Sequence, residues 1–595
     1  MLKQRFLKTF IRDKFPFTTV WYSRVLKALK HLSAFFPLKI RLGIGMQLTP
    51  WDKRKIIREV YSQKEEMPLF SGKKVLLWEP APWTIHIALI ACIGVPLSLR
   101  GCNVELVICD GSPVACIGRA ITDKETLPEW PKRCPGCYEA CREEATSFGL
   151  KTQNMGGLVS PDTLSKLREI SQTIDPASIS SFNYKEVDAG SHALSSVIRY
   201  YQGKINEFEE SILREYLFST LVTTEAAINK IDSFKPDVIH MSHGMYSLWG
   251  PALNIALKRG IPVIKYGGAY RKQCMYYQKI QNNITNFHSG VLSDHEWETR
   301  VSMPLLSREE EGVIEYLEER YASNSGRFKH LGFVPKSKSK QALFNRLNLT
   351  DDKPAWCIFT HLTWDASVNS TKMAYRDYSE WVIETVKVIK DIPDVQWLIK
   401  IHPAEKIFST VDGVEKLLGL EFTNLPSHIQ VIPPDADINT YDIMNIVTGG
   451  ITCHGTVGLE LAVIGKPVIV AADAYYGQKG FTYDGLDADE YKNLLRRAAE
   501  IPPSLTPDQR EKAIKFAYSY YIQRQLPLRM FEIGVDGSWL YFDWDKIESL
   551  IPGHDPVLDL ICNRFFDGDD FIMDEDTIEL YSALLKPGNN KQPQS

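Results

Sequence analysis

The sequence predicts an α/β protein of two Rossmann-like domains facing each other across a cleft, with a basic helical arm in front and a cysteine-rich insertion in the first domain. Three observations predict it. At 595 residues the chain exceeds what one hydrophobic core serves. Short β-branched apolar runs alternate with longer helical stretches in two separate series, the pattern of parallel sheets covered on both faces. A polar, turn-rich stretch at 323–353, containing SNSG and PKSKSK, parts the two series.

The first series starts with VLLW at 75–78 as a buried strand, a helix over 85–99 and a strand VELVIC at 104–109. After a polar middle region come a helix over 217–231, a strand DVIHM at 237–241, a helix over 253–259 and a strand PVIKY at 262–266. The second series has strands AWCIFT (355–360), QWLIKI (396–401), IQVI (429–432) and PVIVA (467–471), with helices over 378–392 and 456–464. A strand-like segment at 446–448 precedes the last of these helices, and further helices follow at 487–500 and 507–525. The domains expected are 1–70 (arm), 71–335 with the insertion at 109–141, 350–525, and an acidic, aromatic extension at 526–595 without a fold signal of its own. No internal repeat is evident.

Composition narrows the function classes. Hydrophobic residues are 44% and charged residues 24%, values of a globular protein, and the net charge of -4 gives no pull toward nucleic acid. Residues 1–43 hold ten Lys and Arg against one acid, Asp13, interleaved with Phe6, Phe10, Phe15, Trp21, Tyr22, Phe35 and Phe36. Such a stretch can lie on anionic lipid, or pack as a helical arm on the body of the protein. Cations interrupt the first apolar residues, so no secretory signal is read there. The longest apolar stretch, Ile85 to Leu99, contains His86 and Pro96 and falls short of the ~20 residues that span a bilayer. Eleven cysteines then read as reduced thiols. The expected location is cytoplasmic, with peripheral contact at the inner face of the membrane open through residues 1–43.

Three segments carry the chemistry. Thr452–Glu460 (TCHGTVGLE) opens a helix, where Gly455 and Gly458 permit close backbone approach, Thr456 can cap, and the positive helix end faces an anion such as a diphosphate. Glu460, one turn in, could accept both hydroxyls of a ribose or lie on a solvated face. Lys400-Ile401-His402-Pro403 ends a buried strand; the proline holds the chain extended and leaves the His402 imidazole at the sheet's carboxyl edge. Ala474–Thr482, with Tyr476 and Gly480, follows PVIVA as a loop suited to a polar ligand. Ahead of these, Thr360 and His361 sit after the first strand, where Asp365 could orient one of them or cap the next helix.

The order IKIHPAE, ITCHGTVGLELAVIGKPVIVA, YYGQKGFT resembles the C-terminal half of bacterial capsular polysaccharide biosynthesis glycosyltransferases of the GT-B fold, including the Kdo-transferase group. The resemblance covers residues 350–490 well and the N-terminal half more weakly. It implies a nucleotide-sugar donor held by His402 at phosphate or nucleotide, by Thr456 and Gly458 at phosphate, and by Glu460 at ribose. It is compatible with CMP-sugars, toward which His-Pro tilts, and with UDP- or GDP-sugars. The acceptor would be a surface polysaccharide or lipid-linked glycan held by the first domain. Candidate bases there are His243, at the mouth of DVIHM, and Asp110, since an inverting transferase needs one base near the acceptor hydroxyl. A sugar-nucleotide epimerase of the same layout, or a non-catalytic scaffold in polysaccharide assembly, are the alternatives.

Cys109, Cys116, Cys134 and Cys137 follow C-x6-C-x17-C-x2-C. A knuckle at Cys134-Pro135-Gly136-Cys137 would complete a four-thiolate structural zinc site. An iron–sulfur cluster with Cys141 as alternative ligand, and unligated thiols, stay open.

Overall fold

The computed structural model describes residues 48–63, 69–203, 208–281, 290–322, 337–365, 372–533, 540–568 and 570–585. The basic stretch at 1–43 and the part of the linker at 323–336 lie outside the described residues.

Two sheets form. The first contains β1 (Lys74–Trp78), β2 (Asn103–Ile108), β3 (Lys151–Asn154), β4 (Val238–Met241), β5 (Val263–Gly268) and β6 (Cys274–Ile280). The second contains β7 (Ala355–Phe359), β8 (Gln396–Lys400), β9 (Ile429–Ile432), β10 (Gly449–Thr452), β11 (Val468–Val470) and β12 (Tyr483–Asp484). A short β13 (Leu526–Pro527) returns to the first sheet, and β14 (Phe531–Ile533) pairs with β15 (Leu540–Phe542).

The first sheet runs β13-β6-β5-β4-β1-β2-β3, parallel from β5 to β3, with β6 antiparallel to β5 and the short β13 antiparallel to β6 at the edge. The second runs β12-β11-β10-β7-β8-β9 and is parallel throughout. Both orders reverse direction once, between β1 and β4 and between β7 and β10. That is the doubly wound arrangement, in which ligands bind beyond the carboxyl ends of the strands where the order reverses. The apolar runs are wholly or largely buried, as strands covered on both faces must be.

One expected strand is displaced. Residues 446–448 form no strand; Thr440–Ile446 is a helix and the strand is Gly449–Thr452. Its two glycines hid it, because glycine weakens a strand pattern. They are required by packing: a Cβ on Gly450 would meet the Leu461 side chain at 2.3 Å, and one on Gly449 the Trp356 ring at 2.7 Å. The C-terminal extension gains its structure from the first sheet. Phe148 packs edge-on against Phe542 at 4.9 Å, and Phe565 lies 5.3 Å from His240. No described helix is long and apolar enough to cross a membrane.

Candidate functional site

The carboxyl ends of β7, β8 and β10 bring three histidines together. Thr360, just past β7, accepts the His402 N–H at 3.1 Å on its hydroxyl and so ties the ends of β7 and β8. His402 follows β8, and its Nδ1 accepts the Ala404 N–H at 3.1 Å. That nitrogen carries no proton, so the ring's proton is on Nε2, a donor available to a ligand. Burial pulls its pKa down to about 4, so the ring stays neutral near pH 7. His361 accepts from the backbone N–H groups of Cys453 (3.2 Å) and His454 (3.3 Å) at its Nε2 and stacks on Tyr378. His454 is held between Tyr378 Oη (3.0 Å) and Asp473 (3.3 Å). A cavity of about 460 Å³, lined in part by Gln278, Lys279, Asp473, Tyr475 and Lys479, adjoins this group at Asp473.

The glycine-rich turn opens the helix Thr456–Val463 with Gly455 at the cap position and no side-chain cap. Thr456, expected to cap, is instead the first helical residue. The helix start therefore keeps backbone N–H groups without a side-chain acceptor, beside half-exposed Thr456. Gly458 is needed where a Cβ would lie 2.0 Å from Tyr476 Oη. Tyr476 is wholly buried and donates to Gly455 O at 2.7 Å, so it props the turn from beneath. Lys400 is buried within β8, and Gly480, at φ +88°, lies in the exposed tip of its loop.

Glu460 is wholly buried and its oxygens are engaged by protein groups: Tyr321 Oη, Tyr521 Oη at 3.3 Å, and Arg320 at 3.4 Å. Arg320 also donates to Thr456 Oγ1 at 3.2 Å and lies 4.3 Å over the Tyr270 ring. A ribose at Glu460 would have to displace these partners.

The first sheet supplies a second group at its own reversal point. Glu79, directly after β1, is wholly buried and accepts from Ser242 Oγ (3.2 Å), Trp249 Nε1 (3.2 Å) and Tyr266 Oη (2.9 Å). Burial pushes its carboxyl up to about 7 against those three bonds. Ser242 in turn lies 3.0 Å from His243 Nδ1. With Glu79 ionised, the Ser242 hydroxyl proton goes to Glu79 and its oxygen accepts from His243 Nδ1–H, which leaves the lone pair on Nε2. Burial and the neighbouring charges of His86, Arg199 and Lys265 hold the His243 pKa well below the ordinary histidine range. Lys265, almost wholly buried in β5, is pulled down to about 7 by burial.

The sequence reading missed His86 and Lys265. His86, read as part of an apolar helix, stacks on His243 at 5.8 Å and approaches Glu79 at 3.9 Å. A histidine in the first turn of an apolar helix, just past a strand end, was the available signal. Asp110 is spent on bracing: its carboxylate accepts the N–H groups of Ser112 (3.1 Å) and Gly156 (3.1 Å).

The two groups meet. Tyr246 Oη donates to Asp365 at 3.3 Å, and Arg199 lies 3.7 Å from the same carboxylate and 5.6 Å over the Trp364 ring. Tyr246 has φ +64°, a strained conformation for an aromatic residue, at the start of the helix that follows β4.

The cysteines do not assemble the expected metal site. Cys134 and Cys137 lie in the first turn of the helix Cys134–Ser147 rather than in a knuckle, since Pro135 suits a helix start. Cys137 Sγ donates to Pro82 O (3.6 Å), Cys141 Sγ to Ala81 O (3.7 Å), and Cys109 Sγ accepts the Gly111 N–H (3.3 Å). Among the described residues no group of three or more His, Cys, Asp or Glu is arranged to hold a metal ion, Cys109, Cys116, Cys134 and Cys137 included.

No protein-family model and no curated protein matches the chain. Among solved structures it is similar to the β-Kdo 2,4 transferase of KpsC from Thermosulfurimonas dismutans (14% identity over 53% of this chain and 87% of that one, TM-score 0.32). It is also similar to UDP-GlcNAc 2-epimerase from Neisseria meningitidis (11% identity, 75% and 98% covered, TM-score 0.22) and to spinosyn rhamnosyltransferase SpnG (12% identity, 75% and 95% covered, TM-score 0.23).

Proposed function

We propose that the chain is a glycosyltransferase that moves a sugar from a nucleotide-sugar donor to a surface polysaccharide or lipid-linked glycan. One observation carries the reading. The reversal points of two Rossmann-like sheets each gather histidines at the strand ends, and Tyr246 and Arg199 join them at Asp365. A two-substrate reaction needs such a paired site, because holding both partners in line supplies much of the rate.

The donor belongs to the second sheet. The uncapped start of Thr456–Val463 offers backbone N–H groups to phosphate, and His402 offers a neutral Nε2–H to the departing oxygen. The acceptor belongs to the first sheet, with His243 the base. Its Nε2 lone pair is set by the Ser242–Glu79 relay, whereas each Asp110 oxygen already accepts a backbone N–H. His243 remains unprotonated across the physiological range, ready to take the proton of an acceptor hydroxyl as the bond forms.

A melting panel of CMP, UDP, GDP and their sugars tests this. A nucleotide at about 100 times its dissociation constant adds ~2.7 kcal/mol. His402→Ala should abolish that gain and His243→Ala should keep it while losing transfer. A chain that no nucleotide stabilises would not be a transferase of this kind.

A further inference from the structure

We propose that the outward face of the helix Pro50–Tyr61 is a docking surface for an anionic lipid bilayer. Trp51, Lys55 and Arg58 are exposed and spaced four and three residues apart, which places them on one stripe of the helix. Trp51 is 62% exposed, although a buried tryptophan would remove far more apolar area from water. Tryptophan beside cations is the side-chain pairing of the membrane–water interface.

The helix also keeps its first acid off that face. Asp52 is wholly buried, closing a capping box with Thr49 through bonds of 2.8 Å to the Thr49 N–H and 2.6 Å to its hydroxyl. Lys53 is turned inward, paired with Glu144 at 3.2 Å and set 5.0 Å over the Trp544 ring. Arg54 is half-buried, and Glu59 is the exposed acid beside the stripe.

Charge chooses the partner. The first 58 residues hold fourteen Lys and Arg against two acids, Asp13 and Asp52, while the whole chain carries -4. The remaining residues are therefore net acidic, so the attraction of the chain to a negative bilayer is concentrated in its N-terminal stretch, which the helix Pro50–Tyr61 continues. Nucleic acid would satisfy the cations alone; the exposed indole and the eight aromatics of residues 1–43 favour lipid.

The surface stands apart from the donor site, and the experiment reads them separately. Full-length protein is sedimented with vesicles of phosphatidylglycerol and phosphatidylcholine in equal parts, or of phosphatidylcholine alone, at about 0.1 M salt, where the Debye length is ~10 Å. Binding is expected only with the anionic vesicles. The Lys55→Glu, Arg58→Glu double variant should lose at least about 25-fold in affinity, at roughly fivefold for each cation removed. Trp51→Ala should lose several-fold, and the nucleotide-induced melting shift should be unchanged in both. Equal binding to neutral vesicles, variants that bind as the parent does, or duplex DNA that displaces the protein from vesicles would each overturn the proposal.

Discussion

At the scale of single residues, the chemistry turns on polar groups held where water cannot reach them. Glu79 shows the consequence. Its carboxyl titrates near 7 in the folded chain against about 4.3 for a free glutamate, chiefly because burial penalises the charge. The folded state therefore holds a proton that the unfolded state has released between those values. Stability from this group is present below the lower pKa and is lost as pH rises through the upper one. Glu79→Gln removes that dependence. The stability of the parent relative to the variant should fall by up to ~3 kcal/mol between pH 5 and pH 8, measured by denaturant unfolding at each pH. A difference that does not change with pH would mean Glu79 is better solvated than its geometry implies. Glu460 behaves differently. With Arg320 beside it, Glu460→Ala would strand a buried cation at a cost of ~3–5 kcal/mol, so loss of nucleotide binding in that variant would report damage to the fold as much as a missing ligand contact.

At the scale of elements, the short helix Thr456–Val463 depends on a glycine that the sequence marked for another reason. Gly458 reads as a site of close approach to phosphate, yet the group that approaches it is Tyr476. Gly458→Ala should destabilise by about 1–3 kcal/mol through overpacking. The penalty should vanish in a Tyr476→Ala background, where the ring is gone, and a double-mutant cycle by denaturant unfolding measures the coupling. Additive effects would show that the turn relaxes freely around the added methyl. The same helix marks where the sequence was legible. Strands VLLW, QWLIKI and IQVI declare themselves because apolar residues dominate each short run, and His402 at the end of QWLIKI follows directly. Gly449–Thr452 does not, because its glycines are dictated by Trp356 and Leu461, side chains distant in sequence. The zinc reading finds no support for a similar reason: spacing specifies which thiols could meet, but the helix start at Cys134 is set by Pro135 and not by a knuckle. The relay from Glu79 through Ser242 to His243 joins strand ends more than 160 residues apart, and only the order of strands in the sheet brings them together.

At the scale of the whole molecule, the question is whether the two sheets act as one site. The link at Asp365 is partly exposed: the Arg199 side chain is 31% and that of Asp365 54% accessible. An ion pair of this kind contributes no more than about 1 kcal/mol to stability. Arg199→Ala should therefore leave unfolding free energy within that margin. Arg199 belongs to the first sheet's helix Ala189–Tyr201, so the nucleotide groups of the second sheet keep all their own contacts. Donor dissociation constants should then stay within about threefold, since only a partly solvated pair is lost. Transfer should fall much further. Arg199 is near both His243 and Asp365, and misplacing a reacting group by about 1 Å costs on the order of 100-fold. A steady-state assay alongside nucleotide titration separates these quantities. Loss of turnover with donor affinity and stability intact is the expected pattern. Turnover equal to the parent's would mean that the two reversal points work independently, and the paired-site reading would fall with it.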